Sequence, residues 1–258
     1  MPLKKQFISF YTILRKGLAR IARIWSQTLL PSVVTSALYF AVFGNILGSR
    51  IGELNGVPYI LFVVPGLVML AVITNSFTDV ATTFFVSKFF SRNIDEILVS
   101  PTPPRIIIAG FVASGVARGM LVGILVLIVS LFFALPSVAH PLVVLLFLFL
   151  SSLIFALAGL INGIYAKSFD GISIVPTFVL TPLVYLGGVF YSINSLPPLW
   201  QNVSLVNPVF YLINGFRYGF LGTADISLFT CTLVLLGLVT VLLAVNWYFL
   251  RHGLGLKQ

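Results

Sequence analysis

The apolar residues of this chain come in long unbroken blocks, and that arrangement limits the fold more than any other feature. Blocks of about 20 apolar residues match the hydrocarbon thickness of a bilayer, where only a helix or a closed barrel satisfies its own backbone. The blocks are not spread at the spacing of half-wet helices or strands, so they are not elements of a soluble core. Composition agrees: 59% of the 258 residues are hydrophobic and 8% are charged, too little charge to keep a soluble surface wet. Six spans are read at about 28–47, 59–78, 114–135, 142–163, 172–191 and 227–250. Breakers separate them: Gly48 to Pro58, Pro101 to Pro104, Pro136 to Pro141, and Lys167 to Gly171. Pro65, Pro176 and Pro182 fall inside spans, where neighbouring helices satisfy the freed carbonyls. The expected fold class is an all-α membrane protein, one domain over 1–258, with no room for a large soluble domain.

A formal charge of +9 invites comparison with nucleic-acid binders, but its placement decides otherwise. Twelve of the 15 Lys and Arg fall on one side of the spans, and only Arg50 and Arg217 on the other, with Arg118 inside a span. Basic residues mark the cytoplasmic side, so both termini are expected there and no nucleic-acid partner is expected. Trp25, Trp200 and Trp247 fall near interfaces, as an aromatic belt requires. The single Cys231 lies in an apolar block, which excludes an intramolecular disulfide. The basic stretch before the first span is too long for a signal n-region, and no cleavage site follows it.

Residues 3–25 read as an amphipathic helix. Phe7, Phe10, Tyr11, Leu14, Leu18, Ile21 and Trp25 share one arc, with Lys4, Lys5, Arg15, Lys16, Arg20 and Arg23 mostly opposite. This pattern suits a helix lying in an anionic headgroup layer, so membrane lipids are expected partners; the competing reading packs the stripe on a soluble partner.

Two further segments stand out. In 192–226 an apolar stretch is broken by Asn207-Pro208, Asn214-Gly215 and Arg217, so it reads as a re-entrant helix pair over 196–222, or as a helix on the outer face. Asn207 is placed to cap the helix that Pro208 starts. In the second cytoplasmic loop, Asn93 caps a short helix with Asp95 and Glu96 in its first turn and an apolar stripe of Ile94, Ile97 and Leu98. The stripe reads equally as a docking surface or as a helix folded back on the bundle.

Polar residues within spans carry two readings each. Arg118 sits near the start of its span and is expected to snorkel to the headgroups more than to bind substrate, with a pair to Asp79 as a further possibility. Gly115, Gly119 and Gly123, and then Gly159 and Gly163, allow close helix packing within one bundle or between copies. Thr177, Thr181 and Tyr185 recur every fourth residue; they line a pathway or bond the carbonyls of their own helix.

The runs Leu196-Pro197-Pro198-Leu199-Trp200, Asn207-Pro208-Val209-Phe210-Tyr211 and Gly215-Phe216-Arg217 resemble the C-terminal signature of type-2 ATP-binding-cassette (ABC) exporter permeases. Residues 91–101 resemble their coupling helix, although the usual acidic-Arg-Glu-Arg-Gly opening is here only Ser91-Arg92-Asn93-Ile94. The resemblance implies an ABC exporter subunit in the bacterial inner membrane, paired with a second copy of itself and with two cytoplasmic ATPase subunits. It further implies docking by Arg92, Asp95, Glu96 and Leu98, and an outer gate shaped by Asn207, Pro208, Tyr211 and Arg217.

The chain lacks a phosphate-binding loop of its own: before Lys167-Ser168, Ala166 and Ile161 stand where that motif demands glycines. The expectation is therefore no catalysis and no cofactor in this chain, with ATP and Mg in the partner subunit. His140 and His252 lie at opposite faces and cannot share a metal. The competing function is a stand-alone secondary transporter or channel, which would require inverted repeats and acidic pairs at mid-membrane; neither is visible.

Overall fold

A computed structural model describes residues 2–54, 56–90 and 93–255, without the side chains of Asn45, Asn93, Asp95 and Leu98. The protein is almost entirely helical. Helix α1 (Leu3–Arg23) ends where Ile24 leaves helical geometry at φ −115° and ψ 30°. Helix α2 (Trp25–Ile51) follows, wound more loosely over Phe40–Leu47. Gly52 at φ 74° turns the chain into a small antiparallel hairpin of β1 (Glu53–Leu54) and β2 (Val57–Pro58). Then come α3 (Tyr59–Phe89), α4 (Asn93–Val99), α5 (Pro104–Ser130), α6 (Pro141–Tyr165) and α7 (Phe169–Tyr185). The chain closes with α8 (Pro198–Val206), α9 (Pro208–Leu221) and α10 (Leu228–His252).

Five of these, α2, α3, α5, α6 and α10, are long and apolar enough to cross a membrane, and α7 is a shorter apolar helix. Several boundaries differ from the sequence reading, three of them by the most: the end of α3, the start of α5 and the end of α7. Helix α3 continues past residue 78 to Phe89, giving 31 residues and a length of roughly 46 Å, well beyond the hydrocarbon layer. Helix α5 starts at Pro104, not near 114, because extended Pro103 followed by proline at the first helical position is a strong start signal. The fifth span, read to 191, stops at Tyr185, where Gly187 lies tight against Val209 and Gly188 turns the chain at φ 83°.

Helix α3 is the axis of the bundle. Most of its side chains from Phe62 to Phe85 are buried, against α5, α6 and α9, with Thr74 the exposed exception. Close approach is bought with glycine on the neighbours: a Cβ on Gly159 of α6 would sit 2.3 Å from the Phe77 carbonyl, and one on Gly119 of α5 would strike Ser76. Gly115, Gly123 and Gly163 likewise face α3 or α6, so these glycines pack helices within one bundle. Helix α10, by contrast, lies at the edge with most of its apolar surface exposed, pinned to α6 where Asn246 donates to the Leu157 carbonyl at 3.1 Å.

Candidate functional site

At the end of the bundle where α3 stops and α5 begins, α4 stands clear as a short helix. Ile94 is buried against α3, Ile97 is partly buried, and Glu96 and Val99 are exposed, Val99 at 89%. Two of the three stripe residues, Ile94 and Ile97, are therefore folded back on the bundle, which agrees with one of the two sequence readings of this helix. Ser100 closes it by donating to the Ile97 carbonyl at 2.6 Å. Arg92, and the side chains of Asp95 and Leu98, lie outside the described residues. Beneath α4, the ammonium of Lys88 donates to the carbonyls of Ile164 and Gly255, tying the ends of α3, α6 and the C-terminal segment together.

Further into the bundle, Asp79 of α3 is fully buried between two guanidiniums. Arg118 Nη1 donates to Asp79 Oδ1 at 2.9 Å, and Arg20 Nη2 of α1 donates to the same oxygen at 2.5 Å. Arg118 does not snorkel; its side chain is 11% exposed and turns inward, also donating to Asn75 Oδ1 and to the Thr28 carbonyl. The earlier start of α5 explains the difference, since it sets Arg118 four turns inside the helix, with a carboxylate closer than water. Arg20 escaped the sequence reading because its place on the polar arc of α1 gave no sign that it turns toward the bundle. Gly17, three residues before Arg20, packs against Ser114 of α5 and brings α1 close enough for that contact.

This cluster is wired to a partly polar cleft of about 280 Å3 between α2 and α3. Asn75, which accepts from Arg118, donates to Ser32 Oγ at 2.9 Å, and Ser32, Thr35, Tyr39 and Thr74 line the cleft. Tyr185 of α7 lies beside Tyr39 and stacks on Phe190. Thr177 and Thr181 are exposed on the same helix. Thr181 Oγ1 donates to the Pro176 carbonyl at 2.9 Å, bonding its own helix while its surface stays open.

At the opposite end, α8 and α9 form two short helices broken at Asn207. The Asn207 side chain accepts from the Val209 N–H at 3.0 Å and donates to the Leu183 carbonyl of α7 at 2.6 Å, so it caps one helix and fastens it to another. Pro208 starts α9. The Tyr211 hydroxyl donates to the Leu205 carbonyl at 2.7 Å, closing α8 onto α9. Arg217 is buried, donates to the Gly188 carbonyl at 2.7 Å, and sits 3.8 Å over the Phe62 ring. Asn214 was not singled out beyond its role as a helix breaker, yet it holds Ile226, Asp225 and Cys231. A buried amide in an apolar helix is the signal that would have found it.

Comparison with known proteins accounts for this arrangement. Residues 8–221 match the family described as ABC-2 type transporter. The chain is 52% identical over 252 residues, 98% of each chain, to the inner membrane transport permease YadH of Escherichia coli strain K12. It is 26% identical to nodulation protein J of Rhizobium meliloti strain 1021, over 77% of this chain and 78% of that one. Nodulation protein J of Neorhizobium galegae is 23% identical, over 88% and 87%. With a family match that takes in α4, the Asp79 cluster and the capped α8–α9 pair, the chain belongs to the ABC-2 type transporters as a membrane permease subunit.

Proposed function

We propose that this permease moves an amphiphilic or saccharide/lipid-type substrate out of the cytoplasm, driven by two ABC ATPase subunits and through a pathway where two copies meet. The observation that carries this reading is the partly polar cleft between α2 and α3, with Tyr185 of α7 beside its Tyr39 and with Thr177 and Thr181 exposed on the same helix as Tyr185. A cleft that sets hydroxyls and an amide beside apolar walls of Pro31, Leu67, Leu70 and Ala71 suits a substrate with both polar and apolar parts.

In this reading α7 is the sixth crossing, at the short end of the span range, and both termini face the cytoplasm of an inner membrane such as the one that gives YadH its name. Helices α8 and α9 dip into the outer leaflet and return, and Asn207, Pro208, Tyr211 and Arg217 hold the gate above the pathway. Helix α4 docks in a groove of the ATPase through Arg92, Asp95, Glu96 and Leu98. Because α4 links the ends of α3 and α5, closure of the ATPases on ATP would tilt both helices together. ATP and Mg stay in the partner subunit.

The experiment is copurification and transport with the cognate ATPase, using Leu98→Asp. The variant should fold and keep its thermal transition while complex formation falls by roughly tenfold or more, since a charge enters an apolar contact. Unchanged complex and unchanged transport would remove α4 from the coupling role, and transport driven by an ion gradient without any ATPase would overturn the exporter reading.

A further inference from the structure

A second cavity lies away from the proposed pathway. It is a groove of about 590 Å3 between α1, α5, α6 and α10, walled by Phe10, Ile108, Val112, Leu153, Leu243 and Trp247. Its one charged lining residue is Arg105, in the first turn of α5. We propose that this groove binds an anionic phospholipid, with an acyl chain between the helices and the phosphate on Arg105 and Arg251.

Three features support that occupant. The groove follows α5 from Arg105 to Ala113, a rise of roughly 12 Å, which is most of one leaflet's hydrocarbon depth. Its walls are apolar apart from Arg105, and half-exposed Trp247, near the C-terminal end of α10, lines it, a ring type that favours a headgroup boundary. Cations come from two helices: Arg105 of α5 lines the groove, and Arg251 of α10 holds its guanidinium 4.7 Å over the ring of the lining Trp247. No described carboxylate lines the groove. Two guanidiniums match the oxygens of a phosphate and favour a headgroup with net negative charge over a zwitterion. A second copy of the chain fits less well, because no described carboxylate lines this groove to meet Arg105 and Arg251 across a twofold contact. The inference depends on the topology proposed above only for which leaflet supplies the lipid.

Acyl-brominated lipids test it on the full chain, with Trp247 left as the only tryptophan by Trp25→Phe and Trp200→Phe. Brominated phosphatidylglycerol should half-quench Trp247 at a roughly fivefold lower lipid fraction than brominated phosphatidylcholine. Arg105→Gln with Arg251→Gln should bring the two curves together while Trp247 stays quenchable. Native mass spectrometry of the unaltered protein gives the same comparison without substitutions: phosphatidylglycerol adducts should survive delipidation and phosphatidylcholine adducts should not. Coincident curves and equal adducts would show a groove merely bathed in lipid. Trp247 shielded from both lipids, with cross-links between copies at position 109, would show a second copy there. Either result overturns the proposal and leaves the exporter reading untouched.

Discussion

Asp79 and Arg217 are both buried charges in an apolar bundle, and they are held by opposite means. Asp79 sits between the guanidiniums of Arg20 and Arg118, which come from two other helices, so its cluster joins α1, α3 and α5 by charge. Arg217 has no carboxylate within ion-pair distance among the described residues; it relies on the Gly188 carbonyl and the face of Phe62. The first arrangement concentrates its dependence on one residue. The second spreads it over caps and carbonyls, with Asn207 and Asn214 each making two or more bonds around it. A charge cluster makes three helices depend on one carboxylate, whereas a network of amides gives many weak ties and a defined shape.

Substitutions can break that contrast, and the largest effect is expected at Asp79. Asp79→Ala leaves two guanidiniums facing each other without a counter-charge, and should cost about 3–5 kcal/mol in the thermal or denaturant stability of the purified protein. Arg217→Met comes next at about 2 kcal/mol, since it loses one charge-assisted hydrogen bond and one ring contact but keeps its volume. A loss at Arg217 equal to that at Asp79 would erase the distinction between the clusters. Asn207→Ala should cost about 1 kcal/mol for the lost cap and, on the gating role proposed for this pair, should raise leak through the reconstituted permease at the same time. Arg20→Gln should cost less than 1 kcal/mol because its side chain is 31% exposed and its pair is partly screened. Combined with Arg118→Gln it should show a coupling of 0.5 kcal/mol or more, as two donors to one oxygen must.

Much of the architecture was legible along the chain, and the reasons are local. Long apolar blocks mark helices in lipid because every backbone group there must be satisfied within its own segment. Asn207-Pro208 could be read as a helix start, and the structure caps α9 there by a bond between neighbours two residues apart. The start of α5 was misplaced for an instructive reason: its first turn carries Arg105, and the Pro103-Pro104 start signal read as part of a loop. Reading α5 late also misplaced Arg118 at a membrane surface.

What the sequence determined by itself is what depends on near neighbours: the helices, their breaks, the caps, and a basic amphipathic helix at the start. Only the tertiary structure decided which polar residues meet. Arg20, Asp79 and Arg118 lie 39 or more residues apart and come together because Gly17 lets α1 lie against α5. Likewise Asn75 and Ser32 become the wall of a cleft only when α2 is laid beside α3. Helix formation follows from local bonding, but the pairing of buried charges is set by how closely helix surfaces approach, which no stretch of one helix specifies on its own.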